Sequence, residues 1–191
     1  MGGDADETLI AKLKTEKPKE RTLWNKDASH VLTVFSDHQC PACKTYHEFL
    51  AGFEASSSPN IEVTKKVAFV YRYYPLYQIH AQAFPLAYAA EAAARQGKFK
   101  EITNRFFADQ SKFETIKDLN PYLTQVAKEL KLDEKKFQTD MKDGALQSVV
   151  QDDLSLGEKL GVNATPTFYL DGVKLDGLSP EDLKKLLMTL K

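Results

Sequence analysis

Phe35-Ser36-Asp37-His38-Gln39-Cys40-Pro41-Ala42-Cys43, running on into Lys44-Thr45-Tyr46-His47-Glu48-Phe49-Leu50, is the stretch that decides how this chain folds. Before it stands Val31-Leu32-Thr33-Val34-Phe35, an apolar run that reads as a buried strand. After it, Tyr46, Phe49, Leu50 and Phe53 recur at the spacing of one helical face. Pro41 fits the first turn of that helix, where its missing N–H leaves no extra bond unmade. The Cys40 sulfur is therefore predicted to lie at a helix N-terminus, where free N–H groups and the dipole favour an anion. A thiolate is such an anion, and that setting lowers a thiol pKa from about 8.5 into roughly the 3.5–7.5 range. The chemistry indicated is thiol–disulfide exchange.

Composition narrows the alternatives. The chain has 191 residues, enough for one domain or one domain carrying a large insertion. Its 26 Lys+Arg nearly balance 27 Asp+Glu, so no nucleic acid or anionic membrane surface is expected as a partner. Apolar residues make up 42% of the chain, which supports a packed core, and none of its apolar runs approaches the ~20 residues that cross a bilayer. Met1-Gly2-Gly3-Asp4-Ala5-Asp6-Glu7 lacks both the basic start and the apolar stretch of a signal peptide. On that reading the protein is cytoplasmic, or a mature form from which an export segment has gone. The two cysteines stand three positions apart, which argues against a disulfide scaffold. A bridge closing so short a loop restrains the unfolded chain little, so reactivity explains the pair better than stability.

Residues 1–20 are charge-rich around Leu9, Ile10 and Leu13, and are expected to be a surface extension or tether interrupted at Pro18. Thr22-Leu23-Trp24 reads as a short strand followed by turn residues. Ser56-Ser57-Ser58-Pro59-Asn60 breaks the pattern, and Ile61 to Tyr74 is predicted to be a second buried strand on its β-branched and aromatic content. Strand, helix and strand at this spacing predict a βαβ unit and a parallel pair. From Ile79 to Leu160 the language is helical: Ala81–Arg95, Phe99–Gln110, a helix capped by Asn120 with Pro121 at its first position, one capped by Asp133 and ending near Gly144, then Ala145–Leu160. Strand patterns return at the end, with Thr167–Leu170 and Val173–Leu175 joined by an Asp171-Gly172 turn. Ser179-Pro180-Glu181-Asp182 then caps a last helix whose apolar face is Leu183, Leu186, Leu187 and Leu190.

Two motifs carry chemistry. Cys40-Pro41-Ala42-Cys43 is either a redox pair or half of a zinc site, with His38 and His47 completing a four-ligand set. The helix disfavours the metal, because Cys40 and His38 precede it and would have to fold back over its end. Ala164-Thr165-Pro166-Thr167 places a proline at the mouth of a strand expected to pair centrally, an awkward position that a cis Thr165–Pro166 bond would resolve.

With both motifs in this order, the chain from about Thr22 onward resembles the DsbA-like branch of the thioredoxin superfamily. The resemblance implies an α/β thioredoxin fold over residues 22–78 and 161–191, an all-helical subdomain inserted at 79–160, and residues 1–21 as a charged extension. It implies that Cys40 is the exposed nucleophile and Cys43 the buried resolving thiol, with Pro41 and Ala42 tuning the pair. Thr165 and Pro166 would face the sulfurs and bind extended substrate backbone. It further implies an enzyme of the bacterial periplasm or cell-envelope exterior that passes a disulfide to reduced or unfolded exported proteins. Reoxidation would come from a membrane quinone-linked protein of the DsbB or vitamin K epoxide reductase-like type. The working unit would be a monomer, with no metal and no cofactor beyond the Cys40–Cys43 disulfide. Two positions depart from the family pattern. Where relatives carry a buried acid that moves a proton for the second sulfur, this chain has Val34, and Asp37 is either a substitute or a solvent-facing group. Where relatives have an aromatic, it has His38, which is either a protonated imidazole favouring the Cys40 thiolate or a solvated surface residue. His30, His47 and His80 are expected to be structural or exposed. Two other readings of the same residues remain, a disulfide reductase or isomerase and a client-binding module whose thiols are secondary.

Overall fold

The computed structural model describes residues 3–55 and 60–191. The first elements are α1 (Gly3–Thr15), β1 (Thr22–Trp24), β2 (His30–Ser36), α2 (Pro41–Ala51), α3 (Ile61–Lys66) and β3 (Val67–Tyr73). Five helices follow, α4 (Ala83–Ala94), α5 (Phe99–Ala108), α6 (Asn120–Glu129), α7 (Glu134–Asp140) and α8 (Gly144–Lys159). The chain closes with β4 (Thr167–Leu170), β5 (Val173–Leu175) and α9 (Pro180–Met188).

The sheet runs β1-β3-β2-β4-β5. β2 and β3 are parallel and almost wholly buried, which is why both read as continuous apolar runs rather than alternating ones. β4 lies antiparallel on the other side of β2, with Thr167 opposite Phe35. That register sets Pro166 beside the end of β2, where the chain leaves for Cys40. In the β4–β5 turn Asp171 and Gly172 both have positive φ (49° and 79°), the requirement of a tight two-residue hairpin. One apolar core joins the sheet residues Leu32, Val34 and Phe69 to Leu86, Phe106, Phe137 and Leu187 from the helices.

Three expectations change. Ile61–Tyr74 is not one strand: residues 61–66 form a single helical turn and a half, and the strand begins at Val67. Val63, 5% exposed, is buried by that helix, so tertiary packing overrides its β-branched preference. The N-terminal segment is not a free tether either. Leu13, 1% exposed, packs with Phe35 and Tyr169, and Ile10 lies so close over Gly172 that a Cβ there would stand 2.7 Å from it. Asn120 is not the cap of α6; the Asp118 carboxylate takes the Asn120 N–H at 3.0 Å. Asp133 and Ser179 do cap their helices, bonding the N–H groups of Lys136 and Asp182. The Ser-rich break at 56–59 lies outside the described residues.

Candidate active site

Because α2 starts at Pro41, Cys40 is its N-cap, and its sulfur accepts the Cys43 N–H at 3.4 Å. Across from it, the Cys40 thiol donates to the Thr165 carbonyl at 3.2 Å, and the Thr165–Pro166 peptide is cis. The loop is held by a Cys40 N–H bond to the Asp37 carbonyl at 3.1 Å. Pro41 and Ala42 are exposed, but Cys40 is not the exposed sulfur expected of it: with the Thr165 loop lying against it, it is 6% exposed, and Cys43 is 2% exposed. The two thiols differ sharply. The Cys43 hydrogen bond, aided by the N–H groups of Cys43 and Ala42, outweighs burial and brings Cys40 down to about 6. Burial, the bond to Cys40 and the charge on Cys40 push Cys43 well up. At neutral pH Cys40 is therefore the thiolate and Cys43 the thiol.

This fixes a first expected outcome. Alkylation of Cys40 in the reduced protein should titrate with a midpoint near pH 6, below the ~8.5 of a free thiol. The folded value is depressed, so Cys40 adds stability above the unfolded pKa and that increment is lost as pH falls through about 6. The gap in unfolding midpoint between reduced and oxidised protein should shift toward the reduced form from pH 6 to 9. An alkylation midpoint unchanged from a free peptide thiol would refute the assignment.

Groups far apart in sequence hold the loop. The Asp37 carboxylate accepts the Gln39 N–H, the Leu76 N–H and a bond with His80 Nδ1, each at 2.8 Å. Asp37 is thus not solvent-facing; its carboxylate ties the cysteine loop to residues 76–80. From beyond α5, the Gln110 amide donates to the carbonyls of His38 and Cys40 at 2.9 and 3.0 Å. The Gln82 N–H reaches Gln39 Oε1 at 2.6 Å. No local pattern marks Gln82 or Gln110, whose partners lie about 40 and 70 residues away.

Both readings of His38 fail. The residue is 2% exposed and its ring sits among Tyr71, Phe106 and Phe107. Burial, with a smaller contribution from His47, pushes its pKa down to about 3, so the imidazole is neutral. His38 fills the aromatic position as an aromatic. His47 packs tilted against Phe107 and bonds Asn104, His80 bonds Asp37, and His30 bonds Asp171. Among the described residues no three His, Cys, Asp or Glu side chains are grouped to hold a metal ion.

A thioredoxin family model matches residues 16–189, the sheet, both sulfurs and the proline loop included. The chain belongs to the thioredoxin family. Its fold is that of the DsbA-like thiol–disulfide oxidoreductases. Wolbachia pipientis alpha-DsbA1 is 19% identical with a TM-score of 0.75, covering 97% of this chain and 94% of that one. The catalytic domain of Proteus mirabilis ScsC is 21% identical with a TM-score of 0.72, covering 96% and 97%. Bacillus subtilis BdbD is 20% identical with a TM-score of 0.70, covering 88% and 91%. Among curated proteins, the chain is 30% identical over 186 residues to the Na+/H+ antiporter NhaA 1 of Mycobacterium sp. strain KMS. That match takes in 96% of this chain but 28% of the antiporter, so the chain spans little more than a quarter of that relative's length.

Proposed function

We propose that the chain is an extracytoplasmic thiol–disulfide oxidase of a bacterium, passing a Cys40–Cys43 disulfide to reduced or unfolded exported proteins. The carrying observation is the Cys40 sulfur at the start of α2, accepting the Cys43 N–H and drawn down toward the thiolate, with the cis Thr165–Pro166 loop across from it. A substrate thiolate attacks Cys40 Sγ, the Cys40–Cys43 bond breaks, and Cys43 leaves with the electron pair. A second substrate thiolate then attacks the substrate sulfur of the mixed disulfide, releasing oxidised substrate and Cys40 thiolate. Thr165 and Pro166 would align the substrate backbone, with Pro41 and Ala42 as the exposed face of the pair. A lowered Cys40 pKa stabilises the reduced protein, which makes its disulfide more oxidising and favours an oxidase over a reductase. Reoxidation is assigned to a membrane quinone-linked partner of the DsbB or vitamin K epoxide reductase-like type, and the working unit to a monomer. An antiporter works in a membrane, so homology to a segment of one supports a membrane-side setting. In this reading residues 22–78 and 161–191 form the catalytic part, and the helical insert 79–160 braces it through Gln82 and Gln110.

Equilibration in glutathione buffers, read by thiol alkylation, tests the direction. An oxidase stays largely reduced in buffers that fully oxidise a thioredoxin-like reductase, each ~30 mV being a tenfold change in the two-electron constant. A midpoint as low as that of thioredoxin, about −270 mV, would reverse the assignment to a reductase or isomerase.

A further inference from the structure

Cys43 exchanges electrons at a site that water barely reaches. Its sulfur borders a cavity with room for about one water, lined also by Ser36, His47, Tyr71 and Pro166. Val34 forms part of the wall, and no carboxylate among the described residues lines it. The titratable groups around Cys43 are Cys40 at the start of α2, Tyr46 and His47 on α2, and Tyr71 on β3, with the Asp37 carboxylate engaged elsewhere. A thiolate forming there needs donors: the Ser36 hydroxyl borders the same cavity as the Cys43 sulfur, and Ser36 together with the Asp37 backbone N–H draws the Cys43 thiol down against the burial that pushes it up. Ser36 shares the inner face of β2 with Val34. Tyr71 lines the same cavity as Ser36, and the Tyr71 hydroxyl lies 3.5 Å from His38 Nε2, which is 3.4 Å from the Thr103 hydroxyl.

We propose that Ser36 is a catalytic residue, donating its hydroxyl hydrogen to the Cys43 thiolate, with Tyr71 holding that hydroxyl in place. The assignment rests on the exchange chemistry proposed above. When a thiolate attacks Cys40, the Cys40–Cys43 bond breaks and the pair moves to Cys43, where Ser36 stabilises the charge until solvent supplies a proton. In reverse, Ser36 favours loss of the Cys43 proton before Cys43 attacks a mixed disulfide on Cys40.

The test uses the reduced full chain and dithio-bis-nitrobenzoate, an aromatic disulfide. Cys40 thiolate attacks it and releases one coloured thiolate; Cys43 thiolate then attacks Cys40, forming the internal disulfide and releasing the second. The pH midpoint of the second release reports the Cys43 pKa on that intermediate. Ser36→Ala should raise that midpoint by about one unit, a tenfold slower second release at neutral pH, with the high-pH plateau unchanged. Ser36→Thr should restore it. Tyr71→Phe should raise it by less, and decides the matter alone if Ser36→Ala does not fold. An unmoved midpoint overturns the role of Ser36, as does a lower plateau at the same midpoint. A wild-type protein that releases only one thiolate overturns both this role and the exchange reading.

Discussion

Replacing Cys40 with serine is expected to abolish disulfide exchange while leaving the protein folded. The two halves of that expectation have separate causes. Cys40 is the N-cap of α2, accepting the Cys43 N–H, and serine is among the residues that serve best there. The helix therefore keeps its cap, and below pH 6, where Cys40 is a thiol, thermal unfolding of reduced protein should move by no more than about 1 kcal/mol; at higher pH the variant also loses the stability that the Cys40 thiolate adds. Chemically, oxygen cannot form the mixed disulfide, and loss of a covalent nucleophile is expected to cost roughly 10^4-fold or more in rate. Cys43→Ser behaves differently. It keeps Cys40, so attack on a disulfide-bearing peptide proceeds and the covalent adduct accumulates instead of resolving. Oxidative refolding of a reduced substrate protein, followed with adduct detection by mass, reads both variants. If Cys40→Ser retained the activity of the unaltered chain, the client-binding reading would replace the enzyme.

The parts of this site that could be read from sequence are those set by neighbours along the chain. β2, α2, the Asp171-Gly172 hairpin and the Ser179 cap follow from periodicity and turn chemistry within about ten residues, and all four are present. The parallel pairing of β2 with β3 follows from the length of the connection. What stayed hidden depends on contacts made across the fold. His38 looks like a surface or charged group until Phe106 and Phe107, nearly 70 residues later, close over it. Gln110 is an ordinary polar residue except that its amide meets the carbonyls flanking Gln39. Residues 61–66 defeat a propensity argument, because Ile61, Val63 and Thr64 favour strands while Val63 gains its burial from a helix. The charged character of residues 1–20 likewise masks Leu13, one apolar anchor that fastens α1 to β2.

The largest stability loss is expected at Asp153, on α8, far from any motif. Its carboxylate is 2% exposed and takes three donors, Arg21 Nη1 at 2.5 Å, Arg72 Nη1 at 2.9 Å and the Tyr73 N–H at 3.1 Å. Arg21 also meets Glu91 at 3.0 Å and the Tyr71 carbonyl at 2.8 Å, and lies over the Tyr73 ring. Arg72 meets Glu16 at 3.1 Å, and its Nε has no partner among the described residues. Both arginines are buried, at 4% and 6% exposed, so each needs the charge opposite it. This cluster binds the end of α1, the approach to β1, β3, α4 and α8 into one body. Asp153→Ala removes the anion that the two cations share and leaves an N–H of β3 unmet. Breaking a buried pair from one side costs about 3–5 kcal/mol, because the uncompensated charge stays in the interior. For a chain of 191 residues that corresponds to a fall in Tm of roughly 6–20 °C. Asp153→Asn, which keeps an acceptor without the charge, should lose less, and Asp152→Ala on the exposed side of α8 should stay within about 0.5 kcal/mol. Thermal unfolding of the three variants decides it; an Asp153→Ala protein as stable as Asp152→Ala would show that the cluster contributes nothing. Because Cys40 and Cys43 are not among its members, the alkylation midpoint of folded Asp153→Ala should remain near pH 6, which separates a loss of scaffold from a loss of chemistry.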